Sequence, residues 1–96
     1  MTDANRGAAK FPLGEVYASP EAEKLIKPED IDAALDRHAA GDWGSVSASE
    51  AVLNEHNLAE GSRVRSCHRD DSYNELVIIT DLSEGVTTVE LPYADF

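Results

Sequence analysis

The chain has 96 residues, 42% of them hydrophobic and 28% charged, and its 19 acidic against 8 basic residues leave a formal charge of −11. Such a length suits one domain with one core rather than two. The charge has the wrong sign for gripping phosphates, so direct nucleic-acid binding is not expected, and no run approaches the ~18 apolar residues of a membrane-spanning helix.

Residues 1–10 are polar and alanine-rich, which reads as a flexible arm and not as a secretory signal; a single domain is expected over 11–96. Phe11 to Ala18 is a candidate edge strand, made irregular by Pro12 and Gly14. Ser19-Pro20 has the order of an N-cap followed by proline in the first turn, predicting a short helix over Glu21–Lys27. Pro28 opens a second helix with Glu29, Asp30 and Asp32 near its start, where the helix dipole favours carboxylates. Ile31, Ala34, Leu35 and His38 share one face of it, and Gly41 stops it. Ser47 and Glu50 have capping-box spacing, so a third helix is expected from about Ala48 to Asn57, closed by Gly61.

Beyond Gly61 the apolar period changes to two. Arg63–Arg69, Glu75–Leu82 and Val86–Leu91 read as strands, and their short connectors favour an antiparallel meander. The expected fold is therefore α+β: two to three short helices on a small antiparallel sheet, with a possible fourth strand from the N-terminal segment.

The candidate chemistry is sparse. His38, Asp42 and Trp43 lie close together at the end of the second helix. They form either a polar site with the imidazole as base, or a clamp in which Trp43 is buried and Asp42 bonds loop amides. The clamp is favoured, because His38 shares the apolar face of Ile31 and Leu35. Arg63, Arg65 and Arg69 alternate along one strand and share a face with Cys67, opposite Val64, Ser66 and His68. Such a row can hold a phosphate, and with His38 and His68, Arg65 would make the catalytic set of a small metal-independent ribonuclease. Pairing of the arginines with neighbouring acids is the stronger expectation. His38, His56, His68 and Cys67 show no metal-ligand spacing, and neither a phosphate-binding loop nor a nucleophile elbow is present, so no metal or cofactor is expected.

The acids are unevenly spread. Residues 1–27 are neutral, 28–62 carry −7, 63–69 carry +3 and 70–96 carry −7. Segregation of this kind suits a protein partner with a basic surface, for which Asp70, Asp71, Glu75 and Glu84 are the candidate contacts. The lone Cys67 fits a reducing, cytoplasmic setting.

Thr2–Gly7, Arg37-His38-Ala39-Ala40-Gly41-Asp42-Trp43-Gly44, Ile79-Thr80, Thr87-Thr88 and Leu91-Pro92 together resemble a family of short "plasmid-related" bacterial proteins of plasmids and integrated elements. His-x-x-Gly-Asp-Trp-Gly is the most specific part of the likeness, and Asn54 and Gly61 also fall on the pattern. His68, Val77 and Glu84 depart from it; the last stands where relatives commonly place arginine. The resemblance implies a mobile-element context and no particular catalysis. Joined to the charge, it leads to the expectation of an inhibitor that occupies the basic groove of a host CRISPR or restriction nuclease; the alternatives are the small ribonuclease or toxin and an accessory protein whose acidity only keeps it soluble.

Overall fold

A computed structural model describes residues 9–92, so most of the arm expected over residues 1–10 lies outside the described residues. Within them the order is β1 (Glu15–Ala18), α1 (Pro20–Leu25), α2 (Pro28–Ala39), α3 (Ala48–Glu60), β2 (Arg63–Arg69), β3 (Glu75–Asp81) and β4 (Val86–Glu90). The four strands form one sheet in the order β1-β4-β3-β2. The α+β expectation holds, with the meander in place and the N-terminal strand present.

Local chemistry explains the boundaries. The Ser19 side chain accepts from Ala22 N–H to start α1, and the Ser47–Glu50 capping box is complete at the start of α3. Gly41 follows the last residues of α2 at φ +85°, a left-handed conformation that glycine adopts without steric cost. Helix α1 is shorter than the spacing suggests, because Ile26 is already extended and drops into the core. Helix α3 runs on to Glu60, three residues past the expected end.

The sheet is mixed. β2–β3–β4 is antiparallel, whereas β1 lies parallel to β4, with Glu15 opposite Val86 and Ala18 opposite Val89. The first strand thus joins beside the last, across all three helices and the first two strands of the meander. One face of the sheet is covered. Ala22 and Ile26 of the α1 region and Ile31, Ala34 and Leu35 of α2 pack on Leu76, Ile78, Val89 and Leu91. A second cluster, Phe11, Trp43 and Val64, sits nearer β2 and is enclosed by Val46, Ala51, Leu58 and Leu82. The other face carries Arg65, Cys67, Ile79, Val86 and Thr88, all half-buried.

Candidate functional site

Alternation along β2 decides the fate of the predicted catalytic set. Val64, Ser66 and His68 point into the core, while Arg63, Arg65 and Arg69 project from the opposite face. Arg65 is thus on the far side of the sheet from both histidines, where it donates to Glu50 at 3.0 Å. His38 is wholly buried, with Phe11 at 5.3 Å and Trp43 at 5.8 Å both meeting its ring edge-on. Its two ring nitrogens are engaged by Ser66 Oγ at 2.6 Å and Thr80 Oγ1 at 2.9 Å. The trio His38, His68 and Arg65 does not converge on a common space, and no substrate reaches His38.

What the histidines build instead is a buried chain of hydrogen bonds. It runs from His68 Nε2 to Ser66 Oγ (3.0 Å), His38, Thr80 and Thr87 Oγ1 (2.6 Å), and ends on the Leu13 carbonyl (2.6 Å). That carbonyl only accepts, so Thr87 must donate to it. Each hydroxyl has a single proton, so Thr80 donates to Thr87 and His38 donates to Thr80 through Nε2–H. A neutral His38 then accepts from Ser66 at Nδ1, and His68 donates to Ser66 through its own Nε2–H. The proton order is fixed from end to end, and the last atom, His68 Nδ1, is left buried as an acceptor with no donor among the described residues. Burial, assisted by the neighbouring His68, pushes the His38 pKa down to about 4. Burial and the Arg37 guanidinium, against Asp42, push His68 down to about 4 as well. Both rings are neutral at pH 7.

The Gly41–Gly44 loop is the clamp expected from its sequence. Asp42 accepts from Gly44 N–H at 3.0 Å and from Arg37 Nε at 2.9 Å. Trp43 is buried, stacks on Phe11 at 6.2 Å and donates its indole N–H to Glu55. The loop then runs alongside β2: Cys67 N–H donates to the Trp43 carbonyl, and Ser45 N–H donates to the Cys67 carbonyl. Gly44 has φ +69°, and a Cβ there would lie 2.0 Å from the Cys67 carbonyl oxygen, so only glycine allows this approach.

Further along the same edge, α3 takes over. Asn54 donates from Nδ2 to the Arg65 carbonyl at 2.7 Å and accepts Arg65 N–H at 3.0 Å, as a neighbouring strand's peptide group would. Asn57 donates to the Arg63 carbonyl at 3.0 Å. The sequence reading assigned Asn54 no such role. Its signal was a polar residue between Ala51 and Leu58 on the packed side of α3, which marks a buried amide with work to do.

The acidic candidates split into two groups. Asp70 and Asp71, in the β2–β3 turn, lie with Asp30 of α2 around a cavity of about 190 Å³ whose walls include Arg37, His68 and Arg69. Glu84 is in the β3–β4 turn at the other end of β3, roughly 20 Å away by strand rise. Glu75 is paired with Arg69 at 2.9 Å. Asp70 organises its own turn, accepting from the amides of Ser72 and Asn74 and from the Asn74 side chain. Desolvation works to raise the Asp70 pKa, but these hydrogen bonds outweigh it and hold the carboxyl below its usual range. Each of the described arginines is matched with a carboxylate: Arg37 with Asp42, Arg63 with Asp81, Arg65 with Glu50 and Arg69 with Glu75. The arginine row is internally paired.

Comparison with protein-family models, curated proteins and solved structures gives no match in any of the three. Among the described residues no group of three or more histidines, cysteines or acids is placed to hold a metal, and no helix is long and apolar enough to cross a membrane.

Proposed function

We propose that this protein is an acidic inhibitor that occupies the basic, nucleic-acid-binding surface of a host-defence nuclease of the CRISPR or restriction type. The observation that carries this reading is the meeting of Asp30 with Asp70 and Asp71 around one cavity, which joins the two acidic stretches of the sequence at one end of the molecule. With the described arginines matched internally, carboxylates dominate the charge presented there. Carboxylates so placed stand in for phosphates, and the attraction steers encounter with a cationic groove. The resemblance to plasmid-related proteins supplies the context, and a nuclease target places the protein in the cytoplasm. The ribonuclease alternative has lost its geometry, since its three residues lie on opposite faces of a sheet.

The test is DNA cleavage by purified CRISPR and restriction nucleases with increasing amounts of the protein, over a salt series. Inhibition is expected, weakening as salt rises because exposed charges are screened beyond about 8–10 Å. Asp30→Asn with Asp71→Asn should raise the half-inhibitory concentration and flatten the salt slope. Asp70 is left intact, because it holds its turn. Equal salt slopes for the two proteins would assign the acids to solubility alone, and cleavage unaffected at low salt would overturn the reading.

A further inference from the structure

β1 ends the sheet on the side away from α3, and no described residue covers its outer edge. Along a parallel strand, alternate residues bond to the neighbouring strand. Glu15 N–H donates to the Gly85 carbonyl and Ser19 N–H to the Val89 carbonyl, both at 2.9 Å. The odd-numbered residues therefore face β4, and the peptide groups of Val16 and Ala18 face outward. The side chains here are open as well, with Val16 42% and Tyr17 55% exposed.

Two cavities flank this edge, one on each face of the sheet. On the helix-covered face, Ala18, Ile26, Pro28 and Ile31 with the carboxylates of Glu23 and Asp32 line about 260 Å³. On the opposite face, Tyr17, Thr88 and Glu90 contribute to one of about 170 Å³. Glu15 shares that face, its carboxylate accepting from the Tyr17 hydroxyl at 2.6 Å. A strand laid along an edge sends successive side chains to opposite faces. Main-chain bonds then supply affinity, and pockets for alternate side chains supply specificity.

We propose that the β1 edge docks an extended segment of a partner protein in which apolar residues alternate with lysine or arginine. The apolar side chains enter the cavity formed by Ile26 and Ile31, and the basic ones meet Glu15 and Glu90 on the other face. Charge selects this occupant. Glu15, Glu23, Asp32 and Glu90 surround the edge, and a second copy of this chain would bring −11 against −11. The four-residue length of β1 also limits indiscriminate pairing of copies. This docking surface is distinct from the acidic end formed by Asp30, Asp70 and Asp71 and does not require the partner to be a nuclease.

The probe is a short end-capped peptide of alternating lysine and valine, titrated into the full chain and followed by backbone amide NMR. Val16 and Ala18 amides are expected to shift most and to gain protection from hydrogen exchange, and a glutamate–valine peptide is expected to bind at least about tenfold more weakly. Val16→Pro removes an outward N–H without breaking a bond to β4, which an edge strand tolerates, and it should weaken peptide binding by about tenfold or more. Should that variant fail to fold, Glu15→Lys with Glu90→Lys serves instead: affinity for the lysine peptide falls and affinity for the glutamate peptide rises. Unchanged binding in a folded variant, or shifts that map away from β1, would overturn the proposal. A concentration-dependent dimer abolished by Val16→Pro would also overturn it, assigning the edge to a second copy.

Discussion

The two edges of this sheet receive opposite treatment. Along β2, every outward peptide group from Arg63 O to Cys67 O is taken: by Asn57, by both atoms of the Asn54 amide, and by the backbone of Trp43 and Ser45. Along β1, the outward groups of Val16 and Ala18 meet no described residue. An unpaired edge is a template for another strand, and proteins ordinarily blunt such edges. Here a helix and a loop are devoted to closing one edge while the other is left with four residues and a ring of carboxylates. The Phe11–Trp43–Val64 cluster lies behind the closed edge, and the buried hydrogen-bond chain begins there at His68 and Ser66 before crossing β3 and β4 to Leu13. The open side is where the molecule has least to lose by binding.

Acid should separate the two sides most strongly. His38 and His68 titrate near pH 4 in the folded chain and near the ordinary 6.5 when unfolded. Between those values the unfolded chain binds more protons, so stability is complete above about pH 6.5 and is lost as pH falls toward 4. At 1.36 kcal/mol per pKa unit the loss is roughly 3 kcal/mol for each histidine, comparable to the whole stability of a marginal domain. Urea melts between pH 7.5 and 4 measure it. Amide exchange should show β2 opening before the β1–β4 pairing, and a pH-independent midpoint would contradict the neutral, buried assignment of both rings.

Trp43→Ala comes next, at about 3–5 kcal/mol, because it empties the cluster behind β2 and loosens the loop that pairs with Cys67. A thermal melt that moves by only a degree or two would show that the ring is not an anchor. Asn54→Ala should cost about 2–3 kcal/mol by leaving the Arg65 N–H and carbonyl unpaired. Exchange of the Arg65 amide is the specific readout. The same measurements on Val16→Pro should show almost no loss of stability, which would sharpen the contrast between the edges.

Much of this was legible in the sequence. The capping box of Ser47 and Glu50, the stop at Gly41, the shared face of Ile31, Leu35 and His38 and the three meander strands all follow from local chemistry that a short window contains. The placement of β1 was not legible in that way. Its partner, β4, begins 68 positions beyond Ala18 in the chain, and alternation within a strand of four residues does not name a neighbour. The destination of α3 was hidden for a related reason. Helical periodicity gives a buried face, but not whether that face meets a sheet surface or, as Asn54 does, a sheet edge. The polar core was hidden too. Ser66, Thr80 and Thr87 look like solvent-facing strand residues until His38 arrives from another element to satisfy them. The four acids singled out as contacts do not gather in one place, because a hairpin sends Asp71 and Glu84 to opposite ends of β3.

The buried chain has one more consequence. Because an acceptor-only carbonyl at Leu13 sets the direction of every link, the docking of the N-terminal segment is recorded as a tautomer some distance away, on His68. Lifting Leu13 off Thr87 frees one hydroxyl, and each group behind it can then turn about. The ring nitrogens of His68 therefore act as a remote indicator: their resonances in a nitrogen-15 spectrum report whether the first described residues are seated, without a probe attached anywhere near them.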